Sequence, residues 1–196
     1  LGVVCLVALV VAVPVWVMAR HVQLVDGNDT GGLLDVERVE VSGQDRPKWE
    51  FITFAGWSKK RIWDRGFALV YLDTEGGNRF DKYALIRSTG FAMEATLWRD
   101  RKVKSDVKIG KLDVWRRNDR SVTVRVPLSK LDIEPTRTYF RWFTETLFSG
   151  QVCPQICIDR VPDAGAIEEP LVEPTPTTTP SVLPTLTPTP TPTDSP

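Results

Sequence analysis

Apolar residues recur at every second position through the middle of this chain, which is the spacing of side chains on one face of a β-strand. The clearest case is SVTVRV at 121–126, where valine alternates with polar residues. Other segments are rich in aromatic and β-branched residues or show the same alternation, and these candidate strands are 36–41, 49–54, 67–72, 82–87, 91–98, 112–116 and 139–145.

Turn formers separate these segments, and no long stretch has the period of a helix. The turn signals are Gly43, Gly76-Gly77-Asn78, Ser88-Thr89-Gly90 and Asn118-Asp119. Short strands joined by such turns are typical of all-β domains. The pattern predicts a two-sheet antiparallel sandwich of the jelly-roll kind, with a closed barrel as the alternative.

Residues 1–19 carry no charge and are almost wholly apolar. They are typical of the apolar core and cleavage region of a secretory signal, with Val17 and Ala19 as the small residues before the cut. An uncleaved anchor is the alternative, because a spanning helix needs roughly 20 apolar residues. Both interpretations place the rest of the chain outside the cytoplasm, secreted or on the cell surface. Residues 20–32 are then expected to be a flexible mature N-terminus.

Residues 170–196 are rich in proline and threonine and contain no lysine or arginine. Proline fixes φ and removes a backbone donor, so this tract is expected to be a disordered, extended stalk or linker. The β-sandwich domain is therefore assigned to 33–169.

The charge of the region between the two ends is nearly balanced. All 25 Lys and Arg residues lie in 20–169, and removing Glu173 and Asp194 from the 25 acidic residues leaves 25 − 2 = 23, a formal charge of +2. This balance gives no reason to expect a nucleic acid partner. The basic stretches 59–61 and 99–111 are expected to be solvated or to protect a sheet edge, and a polyanion partner is the alternative. We expect a monomer that does not insert into a membrane once the signal is removed.

Cys153 and Cys157 lie four positions apart in CPQIC. An oxidising extracytoplasmic compartment favours a disulfide between them. Half of a zinc site is the alternative, but a structural zinc ion needs four ligands, and His21 is the only other nitrogen or sulfur ligand after residue 19.

Two oxygen-rich loops are candidates for calcium, which binds six or more oxygen ligands. The first is DTEGGNRFD at 73–81, between two predicted strands, and its candidate ligands are Asp73, Glu75, Asn78 and Asp81. A hairpin turn at its glycines explains the same residues without an ion. The second, DGNDTGGLLDVE at 26–37, has the spacing of an EF-hand loop, with Asp26, Asn28, Thr30 and Glu37 as weaker candidates. Its alternative is a flexible N-terminus rich in turn formers.

Six tryptophans follow residue 19, and flat aromatic faces stack on sugar rings. Trp49 and Trp142 belong to predicted strands, so burial is expected for both. Trp57 and Trp63 flank a polar segment and are the better candidates for ligand binding, although packing in or beside the core is the alternative for each.

Catalysis is not expected from this sequence. The single histidine, His21, lies beside the predicted cleavage point, so no catalytic triad or histidine-ligated metal centre is supported. No phosphate-binding glycine loop is present. A hydrolase that uses two carboxylates is the remaining enzymatic alternative.

The order of segments LLDVERVEVSG, WEFITFAGWS, RGFALVYLDTEGG, FDKYALI, TYFRWFTET and CPQICIDRVPDAG, spanning 33–165, resembles uncharacterised secreted bacterial β-sandwich proteins grouped with carbohydrate-binding module family 9 and DOMON-type domains. The resemblance implies a jelly-roll-like sandwich that binds sugars, haem or other ligands, often with calcium in the fold. The leading hypothesis is thus a surface-displayed, non-catalytic binding or adhesion module for an extracellular ligand, with carbohydrate as a candidate. A structural spacer without its own ligand is the alternative.

Overall fold

The computed structural model describes residues 21–43, 48–77 and 79–171, and within them the protein is all-β. The strands are β1 (His21–Val25), β2 (Arg38–Ser42), β3 (Lys48–Phe54), β4 (Gly66–Asp73), β5 (Lys82–Ser88), β6 (Met93–Arg99), β7 (Val107–Asn118), β8 (Ser121–Pro127), β9 (Tyr139–Gly150), β10 (Cys153–Val161) and β11 (Ile167–Pro170). Two four-residue helices, α1 (Lys59–Ile62) and α2 (Leu128–Leu131), lie in connections.

The strands form one continuous antiparallel sheet in the order β1-β2-β3-β8-β7-β6-β5-β4-β9-β10, and β11 pairs with the first residues of β9. The long strand β7 joins the two halves of the sheet. Its first part, up to Leu112, pairs with β6, and its second part, from Asp113, pairs with β8. The all-β antiparallel prediction is confirmed, while the division into two separate sheets stays a prediction.

The sheet curls until strands far apart in its order face each other. Phe51 on β3 packs against Trp142 on β9 with ring centroids 5.1 Å apart, and Trp49 packs against Phe140 at 5.3 Å. These rings fill the centre of the core together with the alternating valines of β8. The result is a nearly barrel-shaped molecule whose interior is closed by aromatic contacts.

A seam separates the two ends of the sheet. The segment between β1 and β2 covers it: Val36 donates its backbone N–H to Asp159 of β10 at 2.6 Å, and Thr146 of β9 donates to the Leu34 carbonyl at 2.6 Å. Each of these two hydrogen bonds joins a backbone group to a side chain. The segment between β1 and β2 therefore covers the edge of β10 without forming a backbone ladder with it.

The strand register defines two ends of the molecule. At one, which we call the proximal end, the described chain enters at His21 opposite Ser42 and leaves after Pro170 opposite Tyr139. At the distal end lie α1, the β5–β6 turn and the β9–β10 turn, since Gly66 pairs with Phe148 and Ser88 with Met93. The described chain therefore begins and ends on the same side.

Several predictions can be placed on this fold. The disulfide between Cys153 and Cys157 is confirmed. Residues 21–25, in the stretch expected to be flexible, form β1 and pair with β2. The predicted signal and the Pro/Thr-rich tract, apart from Pro170 and Leu171, lie outside the described residues. Among the residues that are described, none of the helices has the length or apolar character to cross a bilayer.

Candidate functional site

A row of aromatic side chains crosses the outer face of the sheet. Tyr71 of β4, Tyr83 of β5 and Trp98 of β6 are direct cross-strand neighbours, and Phe143 of β9 lies on the other side of Tyr71. The Tyr83 and Trp98 rings are parallel within 7°, with centroids 6.4 Å apart. Tyr71 stacks on Phe143 at 4.6 Å. Tyr71, Tyr83 and Trp98 are all partly exposed.

Hydrogen bonds at their polar edges hold the last two rings of this row in place. The Tyr83 hydroxyl donates to Asp106 at 2.8 Å, and the Trp98 indole N–H donates to the Thr96 hydroxyl at 2.7 Å. Burial, followed by the bond to Asp106, raises the pKa of Tyr83. A side chain fixed before binding loses little conformational entropy when a ligand arrives.

Trp98 also lines a groove of about 470 Å³ between β5, β6 and β7. The other polar and charged side chains along it include Arg87, Glu94, Thr96, Lys108 and Asp113. A register shift places Lys108 opposite Trp98, one residue away from the regular pairing. Such β-bulges redirect side chains beside binding sites. We call this cavity the Trp98 groove.

The Trp98 groove combines an aromatic wall with hydrogen-bonding groups of both signs. Glu94 pairs with Arg87 at 2.9 Å, so this carboxylate is held on one side of the groove. The volume is within the range typical of small-molecule sites. A sugar ring has one apolar C–H face and a rim of hydroxyls, so this combination suits a saccharide.

The structure separates the two tryptophans that were candidates for ligand binding. Trp57 is completely buried in the core, and its indole nitrogen has no hydrogen-bond partner among the described residues. Trp57 therefore cannot contact a ligand, because its side chain packs in the hydrophobic core. Trp63 is 53% exposed at the distal end. Trp49 and Trp142 are buried.

The predicted calcium ligands at 73–81 already have protein partners. Asp73 is fully buried and accepts hydrogen bonds from Gly76 N–H at 2.7 Å and from Arg141. Asp81 accepts from Lys82 at 2.7 Å and from the Thr74 hydroxyl at 2.7 Å. Burial alone would raise the pKa of Asp81, but these hydrogen bonds lower it.

A cation at 73–81 would therefore have to displace Lys82, which is buried, and Arg141, which is partly exposed. Glu75 is exposed and gives its backbone N–H to Asp81, and Asn78 lies outside the described residues. The loop is held by ion pairs instead, so we do not propose calcium there.

The second predicted set is also arranged differently from an EF-hand loop. The Glu37 carboxylate pairs with Arg120, and the Thr30 hydroxyl donates to Asp29 at 3.3 Å. Asn28 is exposed. The residues that do converge are Asp26, Asp29 and Asp159, whose candidate ligand oxygens lie within 4.8 Å of one another. Of the described residues, this group could hold a hard cation.

Two of these three carboxylates have raised pKa values. Burial raises the pKa of Asp159 to about 6, opposed by the Val36 hydrogen bond and reinforced by Asp26, Asp29 and Asp35. Burial also raises the pKa of Asp26. The sequence could not predict that Asp159 belongs to this group, because it is more than 120 residues along the chain from Val36, which it contacts.

No protein family, no curated protein and no solved structure matches the chain. The geometry of the aromatic row and the Trp98 groove is therefore the basis for assigning a function.

Tyr83 and Trp98 were not among the site residues predicted from the sequence. The available signal was alternation: both lie at positions opposite in phase to the buried Ala84 and Leu97. What the sequence could not show was that the two positions are paired across neighbouring strands.

Proposed function

We propose that this chain is a non-catalytic, surface-displayed binding module that holds a carbohydrate in the Trp98 groove. The observation that carries this proposal is the parallel pair of rings Tyr83 and Trp98 beside a groove lined by Trp98 and by polar groups. Tyr83 is fixed by its hydrogen bond to Asp106, and Trp98 by its hydrogen bond to Thr96. The pair supplies an aromatic surface, and Thr96, Lys108 and Asp113 supply donors and acceptors for sugar hydroxyls.

The sequence supports the rest of the proposal. The apolar segment 1–19 favours export, and the Pro/Thr-rich tract favours a stalk. The resemblance to carbohydrate-binding module family 9 and DOMON-type domains favours a two-sheet sandwich and an extracellular ligand. Calcium, if it is part of the protein, belongs at Asp26, Asp29 and Asp159.

The spacer alternative is less well supported, because of where the described chain enters and leaves. A domain that serves as a spacer adds most to the length of a protein when the chain enters it at one end and leaves it at the opposite end. Here His21 and Pro170 are at the same end, so the body projects sideways or outwards from the chain that carries it. Such a projection favours display of a binding surface.

Titration with neutral hexasaccharides tests the proposal. Cellohexaose, xylohexaose and mannohexaose are titrated into residues 20–196 by isothermal calorimetry. We expect at least one to bind, and Trp98→Ala to weaken that binding by about tenfold or more, the loss expected for one stacking aromatic side chain. Tyr139→Ala, a control at an aromatic residue that is 41% exposed at the proximal end, should bind as the wild type does.

Two results would overturn it. Absence of binding by all three sugars would remove neutral carbohydrate as the ligand, and equal binding by wild type and Trp98→Ala would remove the groove. Trp98→Phe keeps an aromatic face and should retain part of the affinity, which separates loss of stacking from loss of folding.

A further inference from the structure

The distal end carries an exposed aromatic and basic surface that the Trp98 groove does not include. We call it the distal tip and define it as Lys60, Arg61, Trp63, Arg65, Phe91 and Val152. Phe91 is 91% exposed, Val152 69% and Trp63 53%. Large apolar side chains clustered at such exposure mark interaction sites more often than chance placement.

Specific contacts hold the parts of the distal tip together. Lys59 at the start of α1 donates to the Phe91 carbonyl at 2.7 Å, and Ser88 donates back to the Lys59 carbonyl at 3.0 Å. Gly90 lies against the Trp63 ring, where an added Cβ would come within 3.3 Å of it. Gly90 also has a φ of +84°, which favours glycine. Thus α1 and the β5–β6 turn present Trp63 and Phe91 as one surface.

The charges of the distal tip are mostly positive. Lys60, Arg61 and Arg65 surround Trp63, and the nearby carboxylate of Asp64 is 3.7 Å from Arg65. Within the described part of the chain, no ion pair engages Lys60 or Arg61. Beside them is a cavity of about 480 Å³, also lined by Gln151 and Val152. An anionic partner would complement this surface.

We propose that the distal tip docks an anionic polysaccharide, with Lys60, Arg61 and Arg65 contacting its acidic groups and Trp63 contacting a sugar ring. A recessed cavity beside Trp63 can accommodate a sugar ring with its substituents, whereas a flat lipid surface would not fill it. The tip also points away from the end where the described chain enters and leaves, so it faces outwards from whatever carries the domain. This surface is separate from the Trp98 groove, and either proposal can fail alone.

The test compares a charged polymer with its neutral form. Residues 20–196 are titrated with polygalacturonate and with heparin, and polygalacturonate is matched by its fully methyl-esterified form, which has the same backbone without the charge. We expect binding to both acidic polymers that weakens as salt increases, and weak or no binding to the ester.

Two double variants locate the site. Lys60→Glu with Arg61→Glu should weaken binding about tenfold or more, because two attractive contacts become repulsive. Lys102→Glu with Lys104→Glu makes the same charge change on the exposed β6–β7 loop at the proximal end and should have little effect. Trp63→Ala should weaken binding at constant charge, whereas Val103→Ala, an apolar and 93% exposed position on the β6–β7 loop, should not.

Equal losses in the two double variants would show that net charge, not the distal tip, causes the binding, and would overturn the proposal. So would equal affinity for the esterified polymer. Sedimentation with phosphatidylglycerol vesicles, without binding to either polymer, would identify a membrane surface as the partner instead. The substituted residues are exposed, so unchanged thermal melting of each variant verifies that the fold is intact.

Discussion

Val36 and Asp159 join opposite ends of the sheet: the backbone N–H of Val36 donates to Oδ2 of Asp159 at 2.6 Å. Asp159 is only 3% exposed and faces Asp26, Asp29 and Asp35, all of which oppose its ionisation. One buried carboxylate thus both closes the seam and lies among like charges.

The first prediction is a pH dependence that originates at this seam. Because the pKa of Asp159 is raised to about 6, the folded protein keeps a proton there that the unfolded chain has lost above about pH 4. The stability contributed by this group is present below about pH 4 and is lost as the pH rises through 6, by at most about 3 kcal/mol. Asp159→Asn keeps an acceptor for Val36 and should remove this part of the slope, as measured by urea unfolding from pH 4 to 8. Identical slopes in the two proteins would contradict it.

The second prediction concerns calcium at Asp26, Asp29 and Asp159. A cation that binds only the folded state at one hundred times its Kd stabilises by about 2.7 kcal/mol. We expect the melting temperature to be higher in millimolar calcium than in chelator, and the difference to vanish in Asp29→Asn and in Asp159→Asn. Glu37→Gln, whose side chain pairs with Arg120, serves as the control and should keep the difference. An unchanged wild-type melting temperature in chelator would exclude this site.

The third prediction compares two ion pairs that differ in burial. Arg141 pairs with Asp73, which is fully buried, whereas Arg87 and Glu94 are both more than half exposed. Removing one partner from a buried pair leaves an uncompensated charge, so Arg141→Met should lower the free energy of unfolding by about 3 to 5 kcal/mol. Arg87→Ala should lower it by less than about 1 kcal/mol. Similar losses in chemical denaturation would show that the burial of Asp73 does not matter.

The fourth prediction concerns the disulfide. Mass spectrometry without reductant should find Cys153 and Cys157 protected from alkylation. The closed loop is short, so replacing both cysteines with serine should cost about 2 kcal/mol by the chain-entropy relation. Complete unfolding of the double variant at 25 °C would show that the bridge has a larger role, since Cys153 is also part of the core.

The sequence predicted strands where apolar residues alternate with polar ones or where aromatic and β-branched residues cluster, and it missed β1, β10 and β11. The predicted segment 82–87 became β5 (Lys82–Ser88), and 121–126 became β8 (Ser121–Pro127). Strands β10 and β11 were not predicted, because CPQICIDRV has three exposed residues in a row and β11 is short. Both strands are stabilised by pairing with β9, which the pattern of apolar residues within each strand does not indicate.

The candidate sites were harder to predict, because their members come from distant segments. Loop spacing indicated Asp73 and Asp81 as metal ligands, but Asp73 forms an ion pair with Arg141, which lies 68 residues away along the chain. Asp159 is likewise distant in sequence from Asp26, and the fold brings the two carboxylates together. Spacing within a loop reports only local neighbours, and a curled sheet brings remote side chains to the same point.

The direction of the first and last strands has a mechanical consequence. β11 runs towards the proximal end and is antiparallel to β9, and β1 starts at that same end. Tension on the chain beyond either strand, with the distal tip held by a partner, would pull along the strand axes. The hydrogen bonds of both ladders would then be loaded together in shear, and a strand could not be peeled away one bond at a time.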